Sequence, residues 1–523
     1  VNKNLSWVLL HSILIVTTVV SLLSGLRIAT LSHPELLWFS ALLPQGLMHS
    51  WHLVSAAVST SIAFFYLLYL ILLNPRRIKP TSASFNRHYH RLITWIGYTA
   101  LSLLLITGLG LYFHLIDPSI AKTLHFYAAL LLVIYLFLHA AVYIIQYGIR
   151  IFVTIFSFSR ENLPKHLAFC LAMFCVIGSS YYFFTARNFH PLEVAHIAID
   201  EFIEINGTAN EVAWEKAETI LIPTFGGANF INGATPIKVK AVENGEEMFF
   251  HISWYDPSQS LQHLPLVKTE QGWKVTQDGF HHFNERTHYE DKLAVILSNT
   301  CAFGAAGTAH LGHKPLKDKP AHWAGKGYHY TQPGKLVDLW HWKAVRTNDM
   351  FLADDNFIGP PEIERPASRR YTGGYMPDGK DSGSYVMNWK WYKQDIVIPK
   401  RLPKYPNALN DYQDSTKHAS LSWVIPWFSY EPYAAENDRF PVGTIMPSVM
   451  YTSNRFEGDR ADVRARAQWS DNVWSLELVR KINTQSPKDI SLHDGVCLWI
   501  AAFDHAQIEH TRHVRPVKLV LEQ

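Results

Sequence analysis

Net charge is nearly absent from this chain. Its 47 Lys and Arg against 44 Asp and Glu leave +3 over 523 residues, and no basic tract marks a nucleic-acid surface. Cysteine is scarce as well, with four residues at 170, 175, 301 and 497. Nowhere does C-x-x-C-H occur, which excludes covalent attachment of a c-type haem. Cys170 and Cys175 lie in an apolar segment and read as packing residues, whereas Cys301 and Cys497 can pair only if their part of the chain faces an oxidising compartment. No Gly-rich phosphate loop, P-loop or hydrolase elbow is present, and neither paired carboxylates nor a serine-histidine arrangement stands out. Catalysis by the protein's own side chains therefore has no support.

What the chain does have is a sharp division. Residues 1–186 are dominated by long apolar runs, whereas residues 187–523 are polar and rich in Trp, Tyr and Pro. Five runs, at 7–29, 47–73, 92–113, 124–147 and 166–185, are long enough to cross a bilayer as helices. The first is too long, and too well followed by other spans, for a cleaved signal peptide. Arg76, Arg77, Lys79, Arg87 and Arg91 fill the second connection, and Arg150, Arg160 and Lys165 the fourth; the other two hold almost no Lys or Arg. The positive-inside rule then puts the N-terminus in the cytoplasm and residues 187–523 outside it, in the periplasm if the membrane is a bacterial inner membrane.

Twenty-seven histidines are the strongest chemical signal, because several fall inside apolar runs. His125 and His139 stand fourteen residues apart on the fourth span. That spacing puts them roughly 21 Å apart along a helix and about 40° from a common face. His11 shares the cytoplasmic level with His139, and His52 shares the outer level with His125. One pair at each of two levels suggests two bis-histidine b haems stacked across a four-helix bundle; interhelical hydrogen bonding is the alternative use of such residues. His49, one turn before His52, is the alternative ligand at the outer level. Gly25, Gly108 and Gly110 are small enough to let helices or porphyrin faces approach.

The runs WVLLHSILIVTTVVSLLSG and MHSWHLVSAAV, with the fourth span LHFYAALLLVIYLFLHAAVYI, resemble the di-haem cytochrome b subunits of formate dehydrogenases and nickel-iron hydrogenases. That resemblance implies the same pairing, His11 with His139 and His52 with His125. It also implies a quinone site beside the inner haem, in the neighbourhood of His88, His90, Arg91 or Gln146.

Beyond residue 190 the pattern changes to short alternating runs such as MFFHISWYD, KLAVILS and WSLELVRKI, separated by Gly, Pro, Asn and Asp. These predict antiparallel strands of a soluble, mainly-β sandwich domain following the all-α bundle of five transmembrane helices. Three histidine clusters interrupt it: His310 and His313 in GTAHLGHKPL, His341 with Lys343 in VDLWHWKAV, and His505, His510 and His513 in FDHAQIEHTRH. Spacing alone does not choose between a haem and a zinc site. The order of WYD, GTAHLG, VDLWHWKA, WSLELVRK and AAFDHAQIEHTRH resembles the haem-binding subunit of ethylbenzene dehydrogenase and dimethylsulfide dehydrogenase. Those subunits hold a b haem between a methionine and a lysine. Here His310 and His513 stand near the matching positions, so the expected ligands of a third haem are His310 and His513, with His313, His510 and Lys343 as alternatives.

Together these features predict a membrane-anchored b-type cytochrome with two haems in the membrane and one outside. It would pass electrons between quinone and a periplasmic redox protein or catalytic subunit, as the electron-transfer subunit of an oxidoreductase complex. A non-haem outer domain that binds a ligand or partner, and a self-contained haem reductase, are the two alternatives.

Overall fold

In this computed structural model the described residues are 3–30, 33–73, 84–113, 115–187, 189–277, 285–301, 310–311, 329–331, 334–359, 375–377, 385–393, 396–451 and 458–521. The chain divides into two compact units, Val1–Asn188 and Phe189–Gln523.

The first unit is helical: α1 (Leu5–Ala29), α2 (Met48–Leu72), α3 (Ser84–Tyr112), α4 (Pro118–Tyr147), the short α5 (Ile151–Phe156) and α6 (Leu163–Arg187). All but α5 contain a stretch long and apolar enough to cross a membrane. Their outward faces are studded with exposed Leu, Ile, Val and Phe, the composition of a surface solvated by lipid. Inside, α1 packs on α2 and α3 on α4, with α6 against α1 and α2. Small hydroxyl residues join the first pair: Ser21 to Ser55 at 2.7 Å and Ser59 to Thr17 at 2.8 Å. Such residues let two backbones approach while satisfying their own polar atoms in an apolar medium.

The second unit is built on a 12-stranded sheet. Its strands are β1 (His190–His196), β2 (Ile220–Phe225), β3 (Ala234–Glu243), β4 (Glu247–Tyr255), β5 (Lys292–Ser298), β6 (Val337–Lys343), β7 (Asp354–Ile358), β8 (Tyr375–Pro377), β9 (Arg464–Ser470), β10 (Val473–Lys481), β11 (Cys497–Phe503) and β12 (Val517–Leu521). They run in the order β8-β7-β6-β5-β11-β12-β1-β3-β4-β10-β9, with β2 also on β3; β1 lies parallel to β12 and β3, and the other pairs are antiparallel.

The expected sandwich is thus one continuous sheet curled on itself. Strands far apart in the order meet across the core: Phe250 of β4 lies 5.7 Å from Trp340 of β6, and Trp254 of β4 lies 5.9 Å from Trp342. Near the two ends, backbone bonds join Ala353 to Val463 at 3.0 Å and Ala465 to Phe351 at 2.9 Å. Right-handed twist accumulated over so many strands favours this closure, which also protects the edges. A smaller apolar cluster around Trp273, Val397, Ile425 and Met446 supports the strands inserted between β4 and β9. Cys301, just past β5, is bonded to Cys497 at the start of β11, with Cα atoms 5.5 Å apart.

Candidate functional site

The helical unit brings His52 of α2 and His125 of α4 together. Their ring centroids are 6.2 Å apart and their planes nearly perpendicular at 81°. Each ring is held from behind through Nδ1. That of His52 donates to the backbone carbonyl of Ser21 at 3.0 Å, with Ser24 Oγ at 3.3 Å. That of His125 meets Thr107 Oγ1 at 2.9 Å, and the threonine hydroxyl in turn donates to Leu103 O at 2.6 Å. With Nδ1 carrying the proton in both rings, Nε2 is the nitrogen left with a lone pair to offer. An outer hydrogen bond that fixes tautomer and ring angle is the usual support of a metal-bound imidazole. The separation also suits one ion between two rings, since metal–nitrogen bonds of about 2 Å plus about 1 Å of ring on each side come to roughly 6 Å.

Glycines make the room. A Cβ at Gly25 of α1 would lie 2.9 Å from His52 Cε1, and one at Gly108 of α3 would lie 3.4 Å from His125 Cε1. Gly110 serves a different neighbour, Ile116. At the other level, His11 of α1 stacks on Trp7 at 4.6 Å, and His139 of α4 packs between Tyr135 and Tyr143 at 5.4 and 5.0 Å. His11 and His139 are near enough to interact electrostatically across the bundle. His49 is half-buried one turn before His52. Of the expected quinone neighbourhood, Arg91 is exposed near the start of α3, while the side chains of His88, His90 and Gln146 lie outside the described residues.

In the sheet unit, alternation along β6 sorts its residues onto two faces. Trp340 and Trp342 enter the main core, while Leu339, His341 and Lys343 point the other way. That second face is apolar, formed by Ala294, Val337, Leu339, Ile358 and Phe503 with Ile296 and Ala501 at its margin. His341 stands on it 5.5 Å from the Phe503 ring, its Nε2 buried and without a hydrogen-bond partner. Burial, reinforced by the charges of Lys343, Lys292 and Arg346, holds this imidazole well below the usual histidine range and so neutral. A neutral imidazole whose buried nitrogen has no hydrogen-bond partner among the described residues is chemically able to ligate a metal.

The other expected residues fare differently. His513 is buried, but its Nε2 accepts from Ile500 N–H at 2.9 Å and its Nδ1 donates to Arg515 O at 2.7 Å, so in this arrangement neither nitrogen is left for an iron. His510 donates from Nδ1 to Thr511 O at 2.7 Å and packs on Phe503 at 4.9 Å, on the face that carries His341. Lys343 is committed to Asp354, with the Tyr385 hydroxyl at 3.2 Å, and burial brings it down to about 8. His310 begins a two-residue strand paired with His329–Tyr330; its side chain, and all of His313, lie outside the described residues. The sequence shows His341 in a histidine cluster but gives no reason to prefer it as a ligand. The signal that singles it out is strand alternation, which puts it on the face opposite its two Trp neighbours.

Among solved structures the chain is similar to a protein from Bacteroides uniformis described as carbohydrate-binding, at 8% identity over 64% of this chain and 100% of that one, with a TM-score of 0.26. It is similar as well to a family 9 carbohydrate binding module from Caldicellulosiruptor kristjanssonii in complex with glucose, at 8% identity over 64% of this chain and 97% of that one, with a TM-score of 0.23. Both likenesses are too loose to speak to function. No curated protein matches the chain. The family model for ethylbenzene dehydrogenase matches residues 211–515, from just before β2 to just past His513. Nothing in the comparisons extends that match to the helical unit. With more than half of its length matched, the chain belongs to the ethylbenzene dehydrogenase family, a membership that implies haem binding in a cytochrome-like electron-transfer subunit.

Proposed function

We propose that this protein is a membrane-anchored b-type cytochrome that passes electrons between the quinone pool and a redox partner beyond the membrane. Two haems belong to the helical unit and a third to the sheet unit. Bound haem supplies reversible one-electron storage at iron; the chain's residues hold it, orient it and keep water away.

The observation that carries the reading is the His52–His125 pair, with Nδ1 bonded behind each ring, Nε2 left as the nitrogen with a free lone pair and a glycine notch beside each imidazole. His11 and His139 are the proposed ligands at the second level. In the sheet unit His341 replaces His513 as the proposed iron ligand, because its nitrogen is unpartnered on an apolar face while those of His513 are bonded to backbone. His310 remains the proposed second ligand there, with His510 as alternative. Outward placement of the sheet unit, facing a periplasm across a bacterial inner membrane, is supported by the Arg- and Lys-rich connections of the helical unit and by the Cys301–Cys497 disulfide.

Haem per polypeptide in the purified full-length protein tests this directly, by pyridine haemochrome against amino-acid analysis. Three non-covalent haems are expected, falling to two in His52→Ala, in His125→Ala and in His341→Ala. A count of two that His341→Ala leaves unchanged would leave the sheet unit without a haem. Loss of no haem in His52→Ala would sink the membrane assignment.

A further inference from the structure

The apolar second face of the sheet continues past His341 along one cross-strand row. His341 of β6 pairs with Ala294 of β5, and Ala294 with Ala501 of β11. Residues level with one another on adjacent strands point to the same side of a sheet. The next strand position is taken by the segment that leads into β12. There Thr511 N–H donates to Ala502 O at 2.9 Å and His513 Nε2 accepts from Ile500 N–H at 2.9 Å, so Arg512 between them stands level with Ala501. Arg512 is in turn bridged to Phe225 at the end of β2, its N–H donating to Phe225 O at 2.9 Å and its carbonyl accepting from Phe225 N–H at 3.0 Å. Alternation along β2 agrees, since Ile222 enters the main core and Phe225 falls on the other side.

The row has a ligating nitrogen at one end and an unpaired charge at the other. His341 Nε2 is buried without a hydrogen-bond partner among the described residues. The two alanines beside it present only methyl groups, whereas a neighbouring row of the same face holds Lys343, Lys292 and Phe503. Both of those lysines are committed, Lys343 to Asp354 and Lys292 to Gln507 O at 2.8 Å. Arg512 is different. Among the described residues no hydrogen bond or ion pair engages its guanidinium, which is half-buried with its carbon 5.9 Å from the Phe225 ring and its Nε 3.4 Å from where a Cβ on Gly226 would lie. No acidic group among the described residues bears on it electrostatically. An arginine stays charged at any working pH and presents a planar fork of donors that matches a carboxylate. Desolvating it without a counter-charge costs free energy that a bound anion offsets.

From this row we infer that Arg512 is the carboxylate anchor of the sheet-unit haem, pairing with a propionate of the group whose iron His341 ligates. Three strand steps of about 4.8 Å put the two backbones roughly 14 Å apart, a span that a porphyrin propionate and an extended arginine side chain bridge between them. The inference rests on the third haem proposed above. It adds the residue that fixes the group's orientation in its site and sets a positive charge beside it. Such a charge favours the reduced, less positive iron and so raises the haem's potential.

The test uses the full-length protein in detergent, with the sheet-unit haem identified as the one that His341→Ala lacks. Its midpoint potential is read by spectroelectrochemistry and its rate of loss by transfer to apomyoglobin. In Arg512→Gln that haem is expected to leave about tenfold faster or more, the usual weight of a charge-assisted hydrogen bond, and to show a lower potential, with both membrane haems unchanged. Arg512→Lys, which keeps the charge and loses the fork, is expected to restore most of the potential and only part of the retention. Wild-type loss rate and potential in Arg512→Gln would overturn the anchor and leave the third haem standing. Faster loss at an unchanged potential, equal in Arg512→Gln and Arg512→Lys, would overturn it as well, because that pattern marks only a fold loosened at the Phe225 bridge. A wild-type count of two haems that His341→Ala leaves unchanged would instead overturn the third haem, and the anchor with it.

Discussion

At the scale of single residues, the most exacting positions are the glycines beside the membrane histidines. A methyl group at Gly25 would sit 2.9 Å from His52 Cε1, closer than real contacts allow, and the ring backing it is fixed through Ser21. Gly25→Ala is therefore expected to turn the imidazole and weaken that haem level by about 1–3 kcal/mol, the usual cost of overpacking. Gly108→Ala, at 3.4 Å from His125, is expected to cost less. Haem retained per chain after dilution, compared across the two variants, decides it; equal retention with wild type in Gly25→Ala would break the link between notch and ligand.

A second residue-scale prediction concerns Glu290 in the sheet unit. Burial alone would raise its carboxyl, but Arg346, His263 and the Val345 N–H at 2.6 Å outweigh that and hold it well below the usual 4.5. A carboxylate depressed in the folded state stabilises the fold above its unfolded value and loses that contribution as pH falls. Stability of the sheet unit is expected to decline from about pH 4.5 downward, where Glu290 binds a proton in the unfolded chain while the folded carboxylate stays ionised. Glu290→Gln should flatten that decline. It should also cost about 3–5 kcal/mol at neutral pH, because it leaves the buried Arg346 unpaired. Urea unfolding followed by tryptophan fluorescence across pH measures both.

Among the elements, β5 and β11 are joined twice: by the antiparallel ladder from Lys292–Phe503 to Ser298–Cys497, and by the Cys301–Cys497 bond just beyond it. The bond closes a sequence separation of 196 residues. Replacing both cysteines by serine is expected to cost about 2–5 kcal/mol and to abolish the sensitivity of the unfolding midpoint to reductant. An unchanged midpoint in the variant would mean that the ladder alone holds the two strands. The elements also show which features can be read from sequence. Helix spans and core strands are legible because their signals are local: an apolar run as long as the bilayer is thick, or apolar residues two apart as in WSLELVRK. The curling of one sheet is not, since it depends on residues such as Phe250 and Trp340 meeting across five intervening strands. Nor could the sequence show that His513 spends its nitrogens on Ile500 and Arg515, a matter of strand-edge geometry, while His341 keeps one unbonded.

For the whole molecule the decisive question is which side of the membrane the sheet unit occupies, because that sets which partner it can reach. Arg and Lys crowd the connections at 74–91 and 148–165, and almost none stand in the other two, which favours those connections in the cytoplasm and the sheet unit outside. The disulfide points the same way by independent chemistry, since a pair of thiols survives oxidised outside the reducing cytoplasm. Single cysteines placed at exposed Glu161 and exposed Glu436, in a background carrying Cys175→Ser, separate the two arrangements. In intact spheroplasts a membrane-impermeant maleimide is expected to label Glu436→Cys and spare Glu161→Cys until the membrane is opened. The reverse pattern would put the sheet unit in the cytoplasm. The disulfide would then have to persist against cytosolic reductants, and a partner beyond the membrane would be out of reach. Labelling in the expected pattern would make a redox protein outside the cytoplasm the kind of partner the sheet unit can reach.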